Sequence, residues 1–217
     1  MSAESGISTF RDKGGLWEGH DVMQVASPTG WQANPELVLQ FYNDRRRQLL
    51  QVQPNSAHID LVQLERNYDV NIVTQNVDDL HERAGSSKVT HLHGELLKVR
   101  STVDEHLIYS WQKDLVLGDN CENGHQLRPH IVWFGEMVPM LEKAAEIVME
   151  SDIVIIIGTS MQVYPAAGLV SYAPINSEII YLDPNPFISF ELKKRKHKII
   201  SKKATQGLPE ILEILKI

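Results

Sequence analysis

The chain has 217 residues, 42% of them hydrophobic and 23% charged, which is ordinary globular composition with room for one sizeable domain and a smaller insert. A net charge of −7 excludes a basic footprint for nucleic acid, and the longest apolar run, 153–157, is too short to span a bilayer. A single cysteine, Cys121, excludes an intramolecular disulfide and fits a reducing cytoplasm, and the polar opening Met1 to Gly6 has no signal-peptide pattern.

Residues 1–17 are rich in Ser and Gly and carry Phe10 and Arg11. They read as a loop that can fold over phosphate with backbone donors and a guanidinium, although composition alone equally fits a frayed terminus. His20 to Thr29 is loop-like, with turn chemistry at Pro28-Thr29-Gly30. The period predicts a helix over 35–50, capped by Asn34, with Leu37, Phe41 and Arg45 on one side and Val38, Tyr42 and Leu49 close by. A second amphipathic helix is expected over 55–67. Tyr42 and Arg45 are neighbours on one helical face, and the plain reading is a surface arginine lying along a half-buried phenol.

The apolar run Val70 to Thr74 predicts a buried strand ending in Gln75-Asn76-Val77-Asp78-Asp79. A short helix stops at Ala84-Gly85, and a second strand, Lys88 to Leu92, delivers His93 and Gly94. This unit sets an amide pair, a carboxylate and an imidazole at the carboxyl ends of two strands, the edge where open α/β sheets bind ligands. His91 and His93 share a face, and no third metal ligand is evident beside them. Further strands are expected at 131–134, 153–157, 178–182 and 198–201, with helices over 139–151, 165–172 and 207–217. The turn Gly158-Thr159-Ser160 ends a fully apolar strand where a cofactor can approach the backbone. Six strands with intervening helices predict an α/β fold, a Rossmann-like doubly wound parallel sheet with a smaller inserted helical or irregular lobe. The basic run 193–198 reads as a solvated helix end.

TQNVDDLHERAG followed by HLHGEL resembles the central signature of the sirtuins, the NAD-dependent protein deacylases. SAESGISTFRD with GGLW, RPHIVWFGEMVP, IGTSMQVYPAAG and a late Lys-Ala-Thr follow in that family's order across nearly the whole chain. The resemblance implies a cofactor loop at Ala3, Phe10 and Arg11. It implies NAD contacts from Gln75, Asn76, Asp78, Gly158, Thr159, Ser160 and Ala204, and His93 as general base. Val132 to Gly135 would line an acyl-lysine channel, with Val132, Phe134 and Gly135 as substrate contacts. Tyr42 and Arg45, with the small Ala26, resemble the class that removes acidic acyl groups, since a phenol and a bidentate guanidinium suit a succinyl or malonyl carboxylate. Products would be free lysine, nicotinamide and acyl-ADP-ribose.

Three departures from the family's pattern are visible. The family carries a strand and a Gly-Ala-Gly turn before its cofactor loop; here either these lie upstream of Met1, the favoured expectation, or the nucleotide site is damaged. Where the family has two Cys-x-x-Cys pairs, this chain has Ser101, Asp104 and only Cys121, so zinc is not expected and His106 and His125 do not complete a site. The module would then be held by packing of Leu107, Ile108, Trp111, Leu115 and Val116. The ribose contact near 181–185 is left open between Tyr181 and Asn185. Expected partners are acylated lysines of proteins, with no nucleic acid and no membrane. The expected division is 1–17, 68–96 and 128–217 as the NAD-binding domain, with 18–67 and 97–127 as the accessory part. Rival readings are a non-catalytic NAD or ADP-ribose sensor and a generic dehydrogenase; the missing G-x-G-x-x-G weighs against the latter.

Overall fold

A computed structural model describes the backbone of residues 1–7, 16–17 and 20–217, and the side chains of 1–7 and 20–217. Phe10 and Arg11 lie outside the described residues. After a 3-10 turn at Ser2–Ser5, β1 (Leu16–Trp17) pairs antiparallel with β2 (His20–Asp21). The stretch expected as a loop then contains two short helices, α1 (Val22–Val25) and α2 (Pro28–Ala33). Their signals were local caps rather than period: the Asp21 carboxylate accepts from Met23 N, and the Ser27 hydroxyl accepts from Gly30 N.

Helix α3 (Pro35–Gln51) starts as expected, with Asn34 Oδ1 accepting from Leu37 N. It buries Val38, Phe41, Tyr42 and Leu49 against Val25, Leu80, Leu96, Ile131 and Trp133. It also buries polar side chains. The Asn43 amide exchanges two hydrogen bonds with the Leu115 backbone, at 3.0 and 2.9 Å, and Arg46 Nε donates to the Leu96 carbonyl. These bonds fasten the 97–127 segment to the helix. Helix α4 (Ser56–Leu64) follows.

The central unit is β3 (Ile72–Thr74), α5 (Leu80–Ala84) and β4 (Val89–His91), the two strands being parallel. The chain then forms an antiparallel sheet, β6–β5–β7, from β5 (Gly94–Ser101), β6 (Ile108–Ser110) and β7 (Leu127–Ile131). The strand expected at 131–134 is therefore corrected. The extended residues lie earlier, pair antiparallel with β5, and Trp133 to Glu136 form a turn. The apolar run Ile131 to Phe134 misled because Ile131 ends β7, Trp133 fills the core from the turn and Phe134 is half-exposed.

No zinc cluster holds the 97–127 segment together among the described residues. The Ser101 hydroxyl accepts from the backbone N–H groups of Val103 and Asp104, and Cys121 is buried against it. His106 and His125 are exposed, and His125 meets Cys121 only through its carbonyl, which accepts from Cys121 N at 2.8 Å. Leu115 is buried and Leu107 and Trp111 pack partly against it, whereas Ile108 and Val116 are exposed, contrary to expectation.

Helix α6 (Leu141–Met149) leads to β8 (Ile153–Ile157), a 3-10 segment at Ala166–Tyr172, β9 (Glu178–Leu182), α7 (Phe190–Lys193), β10 (His197–Ile200) and α8 (Ala204–Ile214). Strands β10–β9–β8 form a parallel sheet in that order. The α/β fold is as expected, but the parallel ladder is in two parts. Val73 of β3 and Val154 of β8 pack on the same helical layer with Ala144 and Leu169. Ile72 and Ile155 pack on the opposite layer with Leu61 and Leu208. Strands β3 and β8 thus lie in one layer between the same helices, yet neither bonds the other. Both line a cavity of about 1570 Å³. No described helix is long and apolar enough to cross a membrane.

Candidate active site

The cavity opens at the carboxyl ends of β3 and β8, where polar groups from four elements converge. The turn after β3 is held by its own backbone and by β4 and β5. Asn76 N donates to Thr74 Oγ1 at 3.0 Å, Leu92 N donates to the Thr74 carbonyl at 2.9 Å, and Leu96 N donates to the Val77 carbonyl at 2.7 Å. Gln75, Asn76, Asp78 and His93 all face the cavity.

His93 places Nδ1 3.3 Å from the Gln75 carbonyl oxygen. A carbonyl only accepts, so Nδ1 carries the proton and Nε2 of the neutral ring keeps its lone pair. Burial lowers the His93 pKa below its ordinary value, only partly opposed by that carbonyl, so the neutral base form is favoured near pH 7. Gly94, at φ +82°, makes the turn after it, and a Cβ there would overlap the His130 carbonyl oxygen.

Asn76 Nδ2 donates to the Ser2 hydroxyl at 2.9 Å, and Ser2 in turn bonds the Asp78 carboxylate. Burial pushes the Asp78 carboxyl up, while the bonds from Ser2 and Leu80 N act against this. Gln75 Nε2 reaches across to Thr159 Oγ1 at 3.3 Å, linking the ends of the two parallel sheets. These are sugar- and amide-binding groups, and their donor set fits a dinucleotide: two carboxamides, a carboxylate, a hydroxyl and an imidazole on one wall.

Of the other residues singled out by sequence, Ala3, Gly158, Thr159 and Ala204 line the cavity, and Ser160 does not. Ala204 opens α8, whose first N–H groups are capped by Glu4: Ala204 N donates to the carboxylate at 3.0 Å and Thr205 Oγ1 at 2.6 Å. Asn185 and Asp183 line the cavity, whereas Tyr181 is buried, with its hydroxyl donating to the Thr159 carbonyl at 2.8 Å.

On the opposite wall, Tyr42 and Arg45 are 1% and 4% exposed, so the phenol is more than half-buried and the arginine is not the surface residue that the plain helical reading suggested. Both line the cavity with Ala26, Val132, Phe134 and Gly135. The Tyr42 hydroxyl accepts from Trp133 Nε1 at 3.0 Å, and burial drives the phenol pKa upward, so it stays protonated. Phe134 N donates to the Ala26 carbonyl at 2.9 Å. The turn itself hangs on Glu136, whose carboxylate accepts from Trp133 N at 2.8 Å and from Arg128 at 2.6 and 3.1 Å. Arg128 also covers the Trp133 ring, 3.3 Å from its centroid.

A profile of the Sir2 family matches residues 1–165 of this frame. The chain belongs to the Sir2 family. It is 63% identical over 184 residues to a protein of Helicobacter pylori (strain J99 / ATCC 700824) named NAD-dependent protein deacylase, covering 85% of this chain and 79% of that one. It is 51% identical over 221 residues to a Bacteroides thetaiotaomicron protein of the same name, covering 99% of this chain and 94% of that one. Among solved structures it matches a Sir2 homologue in complex with NAD, with a TM-score of 0.87 and 36% identity, over 99% of this chain and 85% of that one.

Within this Sir2 chain, sequence reasoning missed Ser2, Glu4, Arg128 and Glu136. Ser2 and Glu4 sit in a stretch read as loose, and their partners are 74 and 200 residues away. Arg128 and Glu136 flank the turn in RPHIVWFGE, and a charged pair bracketing an aromatic was the available signal.

Proposed function

We propose that this chain is an NAD-dependent protein-lysine deacylase that favours acidic acyl groups, succinyl and malonyl, and also accepts acetyl. One observation carries the reading: His93, Gln75, Asn76 and Asp78 share a cavity with Tyr42, Arg45 and the Val132–Gly135 turn. The name carried by its Helicobacter and Bacteroides relatives supports the same reading.

When bound, NAD supplies an electrophilic ribose carbon with nicotinamide as its leaving group. Asn76 and Asp78 hold the nicotinamide ribose and carboxamide region, with Gln75 beside them. Fixed dipoles there favour charge that develops on the sugar without reorganising at the moment of reaction. His93 Nε2 takes the proton from a ribose hydroxyl, and the Gln75 carbonyl at its Nδ1 holds the ring in the base tautomer. Arg45 meets the carboxylate of a succinyl or malonyl chain with a fork of charged donors, and the Tyr42 hydroxyl adds one more. The small Ala26 leaves room for the longer acyl chain. The Val132–Gly135 turn receives the peptide backbone.

The test is nicotinamide release measured with succinyl-, malonyl- and acetyl-lysine peptides. Release that depends on peptide, and is greater for the acidic acyl groups, supports the reading. Release that favours acetyl removes the acidic-pocket assignment. A second reading, an NAD or ADP-ribose binder without turnover, is favoured by the interrupted sheet beside the site; calorimetric NAD binding without nicotinamide release would select it.

A further inference from the structure

His91, two residues before the proposed base, has no part in the reaction described above, yet its side chain is only 8% exposed. It ends β4, paired with Thr74 at the end of β3. Its Nδ1 lies 3.0 Å from the Asn76 carbonyl oxygen and its Nε2 lies 2.8 Å from Glu82 Oε1. Both partners accept only, so the ring satisfies both by carrying a proton on each nitrogen.

The two histidines therefore hold consecutive carbonyls of one turn: His93 takes Gln75 and His91 takes Asn76. They do so in different charge states. His93 needs one proton and keeps a lone pair. His91 needs two, and Glu82 compensates the resulting charge.

We infer that His91 is a positioning residue for the cofactor turn, a doubly donating clamp on the Asn76 backbone that Glu82 completes. The inference rests on the deacylase reading only for the consequence that Asn76 then presents its amide to NAD. The groups facing the ring are Glu82 and His81 on α5, Asp78 on the turn and Glu95 at the start of β5. Burial works against the His91 charge, but the Glu82 carboxylate and the Asn76 carbonyl outweigh it and hold its pKa above the ordinary value. Glu95, with a carboxylate oxygen within 4.8 Å of the ring, adds to this, and its own carboxylate is held by Lys98 at 2.5 Å. Because the folded pKa is raised, the clamp is complete below the ordinary imidazole value and is lost as pH rises through the folded one. Neutral His91 keeps one of its two bonds.

The test uses Glu82→Gln, a neutral acceptor at a half-exposed position, followed by hydrogen exchange of the segment 75–79 and by calorimetric NAD binding between pH 6 and 9. The expected result is that protection of 75–79 and NAD affinity both fall at a pH about one unit lower in the variant than in the wild type, the scale on which a lost charge partner moves a pKa. Melting temperature falls in the variant at pH 6, where the charged ring has lost its partner, and is unchanged at pH 9, where the ring is neutral in both proteins. His91→Phe, which removes both donors, lowers protection of 75–79 at every pH, and its outcome is read only if the variant melts cooperatively. Identical pH profiles for wild type and Glu82→Gln overturn the clamp, as does a loss of protection spread evenly over the chain. Wild-type chain that shows the exchange behaviour but binds no NAD overturns the deacylase reading and leaves the clamp standing.

Discussion

His93 Nδ1 and the Gln75 carbonyl oxygen are 3.3 Å apart, and that contact decides which nitrogen of the ring can act as a base. The bond ties the base to the same turn that presents the carboxamides, so chemistry and cofactor placement share one backbone segment. Burial lowers the pKa of this ring. The base is therefore competent from below the ordinary value of 6.5 upward, and is lost only as pH falls through the lowered value. A pH–rate profile of the deacylation step should show its acid limb below pH 6.5. A limb above 7 would mean that the ring is not held as described.

Gly94 follows His93 at φ +82°, with the His130 carbonyl oxygen where a Cβ would stand. Gly94→Ala should displace the β5–β7 pairing and the imidazole with it. A destabilisation of about 2–4 kcal/mol is expected, combining the backbone conformation with the clash. Chemical denaturation measures it, and a variant as stable as wild type would show that this turn is not as described.

The acyl pocket can be dissected because its two polar residues differ in their partners. Arg45→Met should reduce turnover of succinyl-lysine about ten- to a hundredfold, the value of a charge-assisted contact, and leave acetyl-lysine turnover nearly unchanged. Tyr42→Phe does more than remove a substrate contact. It leaves the buried Trp133 N–H without its acceptor and should lower stability by about 1–3 kcal/mol. Equal losses on both substrates in Arg45→Met would remove the pocket assignment.

Two buried histidines away from the reaction shape the stability of the fold. His58 and His81 meet edge to face with ring centroids 5.0 Å apart, and burial depresses their pKa values to about 3 and about 4. Above pH 6.5 they are neutral in both states and contribute no slope. Below it the unfolded chain binds protons that the folded chain refuses, so stability falls with pH. The expected slope reaches at most about 1.4 kcal/mol per pH unit for each ring, near pH 5, where the unfolded ring is almost fully protonated and the folded one is not. Denaturation midpoints that are flat across that range would contradict it.

Much of this arrangement was legible in the residues. The 3.6-residue period and the Asn34 cap gave α3, and the unbroken Ile153 to Ile157 run gave β8. The turn 75–78 and His93 stood out because polar residues directly after an apolar strand have one place to go. Local signals failed where long-range contacts decide. Trp133 looks like strand but fills the core from a turn tied by Glu136, and its neighbour Phe134 is half-exposed. Arg45 looks exposed on its helix but is 4% exposed, with its guanidinium over the Phe41 ring. The 97–127 segment, without a cysteine set, is organised by Asn43 and Ser101, whose roles no spacing reveals.

The most direct measurement compares wild type with His93→Ala in two assays, calorimetric NAD binding and nicotinamide release driven by succinyl-lysine peptide. The account predicts NAD affinity within about threefold in the two proteins and steady-state turnover, read as continued nicotinamide release after the first equivalent, lost by at least about a thousandfold in the variant, within the range for removing a general base. Steady-state release by His93→Ala at the wild-type rate would contradict it.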